Sequence, residues 1–405
     1  MATMTDVARR AGVSVATVSH VLNGTRPVLP HTRQAVLDAV EALGYTPNTL
    51  ARSLVTSRTR SIGLAVSAIS NPYFTEILQG VEAAALEAGY SLLIADPHDD
   101  PRHERRVVQL LHERRVDGMI VAPSAEPREL VGYLRRHAVP TVFLDRLVDA
   151  HMAEHDPPGG AGTAVSAGAA VSAGAAASAG AAASDGAAVS PAAPVAPDAP
   201  RFDQVCAESA APTALLVTHL AGLGHRRIGL IAGQSGLSTT GERVTGYREG
   251  LAAAGLEYDA RLLVSGNSES DGAERATAAL LGLPDPPTAL VTANNAMTIG
   301  ALRALRRHGR SVPDDLALCC FDDFAWADLF SPRLTAIAQP SRELGAQAVR
   351  VLLDRLAEPH RPARTVRLPC AFVHRTSCGC PEEPGRTDAA GRTASSTLTE
   401  KGTAS

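Results

Sequence analysis

Of the 38 basic residues in this 405-residue chain, only Lys401 is lysine, and the sequence holds one tryptophan and six cysteines. No apolar run approaches the roughly 18 residues that a membrane-spanning helix needs. The first twenty positions include Asp6, Arg9 and Arg10 and lack the apolar core of a secretory signal, so a cytoplasmic location with no membrane partner is expected. Cys206, Cys319, Cys320, Cys370, Cys378 and Cys380 are too sparse for a disulfide framework and read as reduced thiols. Cys378-Gly379-Cys380 has the look of a metal clip, but no second ligand pair lies near it in sequence, so no metal and no cofactor is expected. Arginine in place of lysine, beside abundant alanine, reads as a GC-rich coding sequence rather than a functional signal. No nucleophile elbow, phosphate-binding loop, H-E-x-x-H or dinucleotide fingerprint is present, which argues against an enzyme.

Charge is unevenly distributed. Residues 1–60 carry Arg9, Arg10, Arg26, Arg33, Arg52, Arg58 and Arg60 against Asp6, Asp38 and Glu41, a net of +4. The whole chain is −4, which leaves −8 for the remainder. A small basic head on an acidic body fits a phosphate-binding module joined to a separate domain, although seven arginines also suit a solvated face.

Three helical patterns open the sequence. Thr3-Met4-Thr5-Asp6 forms a capping-box pattern for a helix to about Ala11, and Gly12 breaks it. Ser14 caps a second helix that Asn23-Gly24 ends, and Pro30 starts a third with Val36, Val40 and Leu43 on one face and Gly44 as its stop. From Ser61 strand-length apolar runs alternate with amphipathic stretches: SIGLAVSAI, YSLLIAD, DGMIVAP and PTVFLD, then RRIGLIAG, TALVTAN and LALCCFD. This rhythm predicts two parallel α/β units with helices on both faces and ligands beyond the carboxyl ends of the strands. Between them lies Ala/Gly/Ser/Pro-rich material with a hexamer repeat across Ser166–Val189, a flexible insert expanded by repeat slippage. The expected division is a three-helix head at 1–47, a linker at 48–60, core at 61–150, the insert at 151–204, core again at 205–381 and a polar tail at 382–405.

Ala8, Gly12 and Val18 have the spacing of a helix-turn-helix, where a small residue allows close approach, glycine turns the chain and an apolar residue locks the second helix. Beyond that spacing, TDVARRAGVSVATVSHVLNG followed by TRQAVLDAVEALGYTPNTLARSL resembles the head of the lactose-repressor/galactose-repressor (LacI/GalR) family of bacterial transcription regulators. The likeness continues through NPYFTEILQGVEAAALEAGY, RVDGMIVAP, LGHRRIGLIAG, ERVTGYREGL, ALVTANNAMTIGAL and SVPDDLALCCFDD to SPRLTAIAQPSRELGAQAV, leaving out only the insert and the tail.

The resemblance implies a small all-α helix-turn-helix DNA-binding head on an α/β core of two parallel-sheet subdomains like those of periplasmic binding proteins. It implies that Val15, Ala16 and His20 read bases, with Ser14, Thr17 and Ser19 around them for phosphate contact and Asn23 also on the DNA-binding side. Val15 and Ala16 offer only apolar contact, for example to a thymine methyl, whereas His20 can hydrogen-bond a base edge. Asn48–Leu54 matches the family's hinge helix, with Leu54 as a minor-groove wedge flanked by Ala51 and Arg52. Asn71, Tyr73, Phe74, Thr239, Arg243, Asn294 and Asp322 match positions around an effector cleft, and their donors, acceptors and ring face suit a polyhydroxylated ligand.

Four positions depart from the family pattern: Asn294-Asn295, Glu208-Ser209, Asn267-Ser268 and Leu29 at the cap of the third helix. The first three bear on which ligand binds. The function implied is a homodimeric, effector-responsive regulator, a repressor, whose partners are double-stranded operator DNA and a small molecule, expected to be a carbohydrate. The alternative is a solute-binding protein of the periplasmic type with no regulatory role, against which the basic head argues.

Overall fold

The N-terminal segment folds as three short helices, α1 (Met4–Ala11), α2 (Val15–Asn23) and α3 (Pro30–Leu43). The structure, a computed structural model, describes residues 2–24, 26–45, 58–67, 71–148 and 202–380. Thr3 and Asp6 make the reciprocal capping box that their spacing predicts, each side chain accepting from the other's backbone N–H. Gly12 then turns the chain at φ +66°, a left-handed conformation that costs an L-residue about 1–2 kcal/mol. Ser14 caps α2 by accepting from Thr17 N at 3.1 Å. Leu29 makes no side-chain cap for α3, whose entry rests on Pro30 at its first turn. Val7, Ala8, Val18, Val36, Ala39 and Tyr45 form the small core of this head.

From Ser61 strands and helices alternate: β1 (Ser61–Ala65), α4 (Pro72–Glu87), β2 (Ser91–Ala95), α5 (Pro101–Glu113), β3 (Gly118–Val121), α6 (Arg128–Arg136) and β4 (Thr141–Leu144). The described chain resumes with β5 (Asp203–Ala207), α7 (Ala210–Gly222), β6 (Ile228–Ala232), α8 (Ser238–Ala253), β7 (Leu263–Ser265), α9 (Ser270–Leu281) and β8 (Ala289–Thr292). It ends with α10 (Asn295–Arg307), β9 (Ala317–Phe321), β10 (Thr335–Ala338), α11 (Ser341–Ala357), β11 (Thr365–Leu368) and β12 (Ala371–Val373).

These strands make two six-stranded sheets, ordered β11-β5-β4-β3-β1-β2 and β12-β10-β9-β8-β6-β7. All pairs are parallel except β10 with β12. The first sheet is covered on one face by α4 and α11 through Ile62, Leu64, Ile77, Leu344 and Leu352, and on the other through Val108, Met119, Leu130 and Phe143. Leu230, Tyr247, Leu290, Met297 and Phe321 belong to the core of the second half. Helices α4 and α11 touch backbone to backbone at Gly80: a Cβ there would sit 2.0 Å from the Arg342 carbonyl oxygen.

The chain crosses between the halves three times, after β5, β10 and β11. β5 begins at Asp203, inside the stretch that composition assigns to the insert. Asp203 is buried because Arg355 and Arg361 each pair with its Oδ2 at 2.9 Å.

Candidate DNA-reading head and effector cleft

Helix α2 turns Val18 into the head's core and leaves Ser14, Val15, Ala16 and Asn23 exposed. Val15 is 42% exposed although apolar, which sets it apart from the buried valines of the same helix bundle. Thr17, Ser19 and His20 are half-buried. Ser14 Oγ and Thr17 Oγ1 lie 2.9 Å apart, and Asn23 Nδ2 donates to Ser19 Oγ at 3.1 Å. Small polar groups therefore line one side of α2 in a fixed order. His20, Val21, Arg26, Val28 and Arg33 border a recess at its C-terminal end, which places two guanidinium groups beside the helix. Such an edge offers hydroxyls and positive charge to phosphates and apolar side chains to base edges. Ala51, Arg52 and Leu54 lie outside the described residues.

In the core, the named cleft residues stand at the carboxyl ends of strands, where doubly wound sheets place ligands. Asn71 caps α4, its Oδ1 accepting from Tyr73 N at 3.0 Å. The same oxygen accepts from Asn295 Nδ2 of the opposite half at 2.8 Å. Tyr73 donates its hydroxyl to Asp145 Oδ1 at 2.6 Å and lies 3.3 Å from Gln339 Oε1. Gln339, on the second crossing, donates to Asp322 Oδ1 at 2.5 Å. Tyr73, Asp145, Gln339 and Asp322 thus form one hydrogen-bonded chain from one sheet end to the other.

Arg243, near the start of α8, is buried; its guanidinium lies 3.8 Å from the Phe321 ring centroid and donates to the Ala293 carbonyl. Its Nε–H is buried with no acceptor among the described residues. An unpaired buried donor is costly, so it marks a place where a ligand oxygen would gain. Burial raises the Asp322 carboxyl above the ordinary carboxylate range, opposed by Arg243 and the Gln339 hydrogen bond. Burial, with Asp145 adding to it, pushes the Tyr73 phenol well above its ordinary value, which keeps it a proton donor.

The other expected residues are placed differently. Phe74 packs edge-on to Tyr73 inside the first half's core. Thr239 is half-buried at the start of α8. Asn294 uses both ends of its side chain locally, accepting from Met297 N to cap α10 and donating to the Ser268 carbonyl. Its neighbour Asn295 is the one that spans the cleft. Sequence reasoning also passed over Asp145, although PTVFLD and LALCCFD both end a strand in Asp. Asp145 and Asp322 hold matching positions at the ends of β4 and β9, with φ of +68° and +69°. Cys378 and Cys380, set aside for want of a second ligand pair, have one in space: His219 and His374 lie beside them. The two halves also meet at Leu147 N with Ser238 Oγ, 2.7 Å, and at Arg367 with Glu242, 2.7 Å.

Among the described residues no helix is long and apolar enough to cross a membrane. Residues 3–48 match the family model "Bacterial regulatory proteins, lacI family". Residues 59–169 match "Periplasmic binding proteins and sugar binding domain of LacI family", and 217–378 match "Periplasmic binding protein-like domain". The chain is 31% identical over 378 residues to the HTH-type transcriptional repressor PurR of Aliivibrio salmonicida, covering 93% of this chain and 99% of that one. The PurR repressor of Mannheimia succiniciproducens is 32% identical over 378 residues, covering 93% of this chain and 98% of that one. Among solved structures, a complex of the transcriptional regulator CelR with cellobiose superposes with a TM-score of 0.63 at 29% identity, covering 93% of this chain and all of that one. A lac repressor dimer bound to operator superposes with a TM-score of 0.73 at 24% identity, covering 93% and 99%, which supports the fold. With a helix-turn-helix head and two periplasmic-binding-protein-like halves, this chain belongs to the LacI family of bacterial transcription regulators and is not an enzyme.

Proposed function

We propose that the protein is a repressor that binds a pseudo-palindromic operator as a homodimer and changes its grip on DNA when a small polar effector, a carbohydrate, enters the cleft. The observation that carries this reading is the convergence of Asn71, Tyr73, Arg243, Asn295, Asp322 and Gln339 from both halves on one buried polar seam. A carboxylate, amides, a phenol and a guanidinium over a ring are the groups that recognise sugar hydroxyls. The relatives named as repressors favour the regulatory role, and the CelR structure with cellobiose favours a carbohydrate ligand. Asn294 caps α10 beside Asn295 without entering the seam, and Phe74 packs against Tyr73 from the core side.

Because the Asn71–Asn295 bond joins one half to the other, a ligand that replaces it changes how the halves meet. That change is the differential interaction an effector needs to shift a two-state equilibrium. In the head, Ser14, Thr17, Ser19 and Asn23 position α2 on phosphates while Val15, Ala16 and His20 meet base edges. Ala51, Arg52 and Leu54 would add the hinge contacts, with Leu54 as the minor-groove wedge. A solute-binding role without regulation leaves the head unexplained.

The test joins two measurements on the full chain. A thermal-shift screen of sugars and nucleosides identifies the ligand, and a gel-shift titration then follows operator binding with and without it. Leu54→Ala should weaken operator binding while leaving effector affinity nearly intact. A sugar that binds but leaves operator affinity unchanged contradicts the coupling, and an unchanged operator affinity in Leu54→Ala contradicts the wedge.

A further inference from the structure

The structure assigns a second ligand site, distinct from the cleft: a tetrahedral zinc-type metal site made by His219, His374, Cys378 and Cys380. One ligand atom from each of these residues lies within 4.8 Å of all the others. Cys378 Sγ is 3.7 Å from His374 Nε2, and Cys380 Sγ is 3.9 Å from His219 Nε2. These separations are long for hydrogen bonds and a few tenths of an ångström wider than the nitrogen–sulfur edge of a tetrahedron around zinc, which is about 3.5 Å for Zn–S near 2.3 Å and Zn–N near 2.0 Å.

The donors come from separate parts of the fold. His219 sits in the last turn of α7, His374 directly follows β12, and the two cysteines occupy the turn beyond it. Gly379 between them has φ +93°, a left-handed turn that brings both sulfurs to one side of the chain. Thr335 Oγ1 donates to Cys378 Sγ at 3.3 Å, an outer-shell bond of the kind that orients a thiolate ligand. The Phe372 ring lies 5.2 Å from that of His219 and screens one side.

Two thiolates and two imidazoles in a tetrahedral arrangement select Zn²⁺ over Mg²⁺ or Ca²⁺, which take oxygen ligands. On binding, both thiols release their protons to solvent and the imidazoles ligate as neutral rings. The site stands apart from the effector cleft. His219 is nine residues into α7, about 14 Å along the helix from its cleft end, and β12 runs antiparallel to β10, so His374 lies at the far end of the sheet. β12 is a three-residue edge strand. A metal there staples this strand, which follows the third crossing, to the helix that follows the first.

The test uses the full chain, reduced and stripped with a chelator, then titrated with Co²⁺ and back-titrated with Zn²⁺. Wild type should bind one Co²⁺ per chain with thiolate-to-metal charge-transfer bands and the intense visible bands of tetrahedral Co²⁺, and Zn²⁺ should abolish both. Zn²⁺ should also raise the melting temperature and chelator should lower it. His374→Gln and Cys380→Ser change incompletely buried positions, so the fold should survive, as checked by circular dichroism. Both variants should lose the charge-transfer signature or the bound equivalent, while His103→Gln, altering the stacked His98–His103 pair elsewhere, should keep them. A thiolate-free octahedral spectrum, tight binding that survives Cys380→Ser, or a Cys378–Cys380 disulfide in place of metal uptake under reducing conditions overturns the assignment. None of these readouts depends on operator or effector binding.

Discussion

Replacing Gly80 with alanine sets two physical effects of opposite sign against each other. Alanine in a helix interior is favoured over glycine by about 0.8–1.0 kcal/mol. At Gly80, however, the new Cβ would sit 2.0 Å from the Arg342 carbonyl oxygen, and across the same contact a Cβ on Gly345 would sit 2.2 Å from the Ile77 carbonyl oxygen. Both obstacles are backbone, so no rotamer change relieves them. Restoring van der Waals separation requires α4 and α11 to part by more than about 1 Å, and overpacking of this kind costs about 1–3 kcal/mol, occasionally more. The steric term therefore exceeds the propensity gain, and Gly80→Ala should destabilise. Gly241 supplies the control: it lies within α8, and a Cβ there meets nothing within 4 Å. Gly241→Ala should stabilise by up to about 1 kcal/mol. Urea unfolding of the full chain, comparing midpoints and slopes, reads both. A Gly80→Ala midpoint raised alongside that of Gly241→Ala would refute the packing account. Since Asn71 caps α4, Tyr73 lies in its first turn and Gln339 stands two residues before α11, the same variant should also weaken effector binding.

Ser14→Ala removes the α2 cap and should cost about 1 kcal/mol of head stability, seen as faster amide exchange in α2 and weaker operator binding, while effector affinity stays unchanged. Arg243→Met should lower effector affinity by roughly 10- to 150-fold, the loss of a charge-assisted hydrogen bond of about 1.5–3 kcal/mol, with operator binding in the absence of effector retained; calorimetry and gel shift read the two halves of this prediction. Burial raises the Glu104 carboxyl above its ordinary range, opposed by its hydrogen bonds from Ser124. The folded chain therefore holds the Glu104 proton more tightly than the unfolded chain does. Its contribution is greatest below the ordinary carboxylate range and is lost as pH rises through the raised value. Glu104→Gln should flatten that part of the stability curve, measured by melting across the acidic range.

The head was legible because its signals are local. Thr3 and Asp6, Gly12, Ser14, Gly24 and Pro30 each act within a few residues, and each acts as its chemistry dictates. Strands β1, β3, β4, β6, β8 and β9 were legible as apolar runs buried on both faces, and the half-covered edge strand β2 as an apolar run. β5 and β11 were not, since their polar side chains follow partners remote in sequence: Asp203 pairs with Arg355 and Arg361, and Arg367 with Glu242; β12, Ala371–Val373, is too short to stand out as a run. In the cleft, Asn71, Tyr73, Arg243 and Asp322 could be named from pattern, but choosing Asn295 over Asn294 required knowing which amide the α10 cap consumes. The metal-site candidate was hidden for the same reason. His219 stands 159 positions before Cys378, and only the meeting of α7 with the segment after β12 brings them together.

The central claim is that one chain couples a DNA-reading head to a ligand cleft. The most direct test is fluorescence anisotropy on an operator selected from random DNA by the full chain, titrated against salt and against the sugar found by thermal shift. The account predicts two chains per operator, an affinity that falls steeply and linearly with log salt, and a reproducible change in affinity when the sugar is added. Tight sugar binding with no salt-sensitive, sequence-selective DNA binding would contradict it.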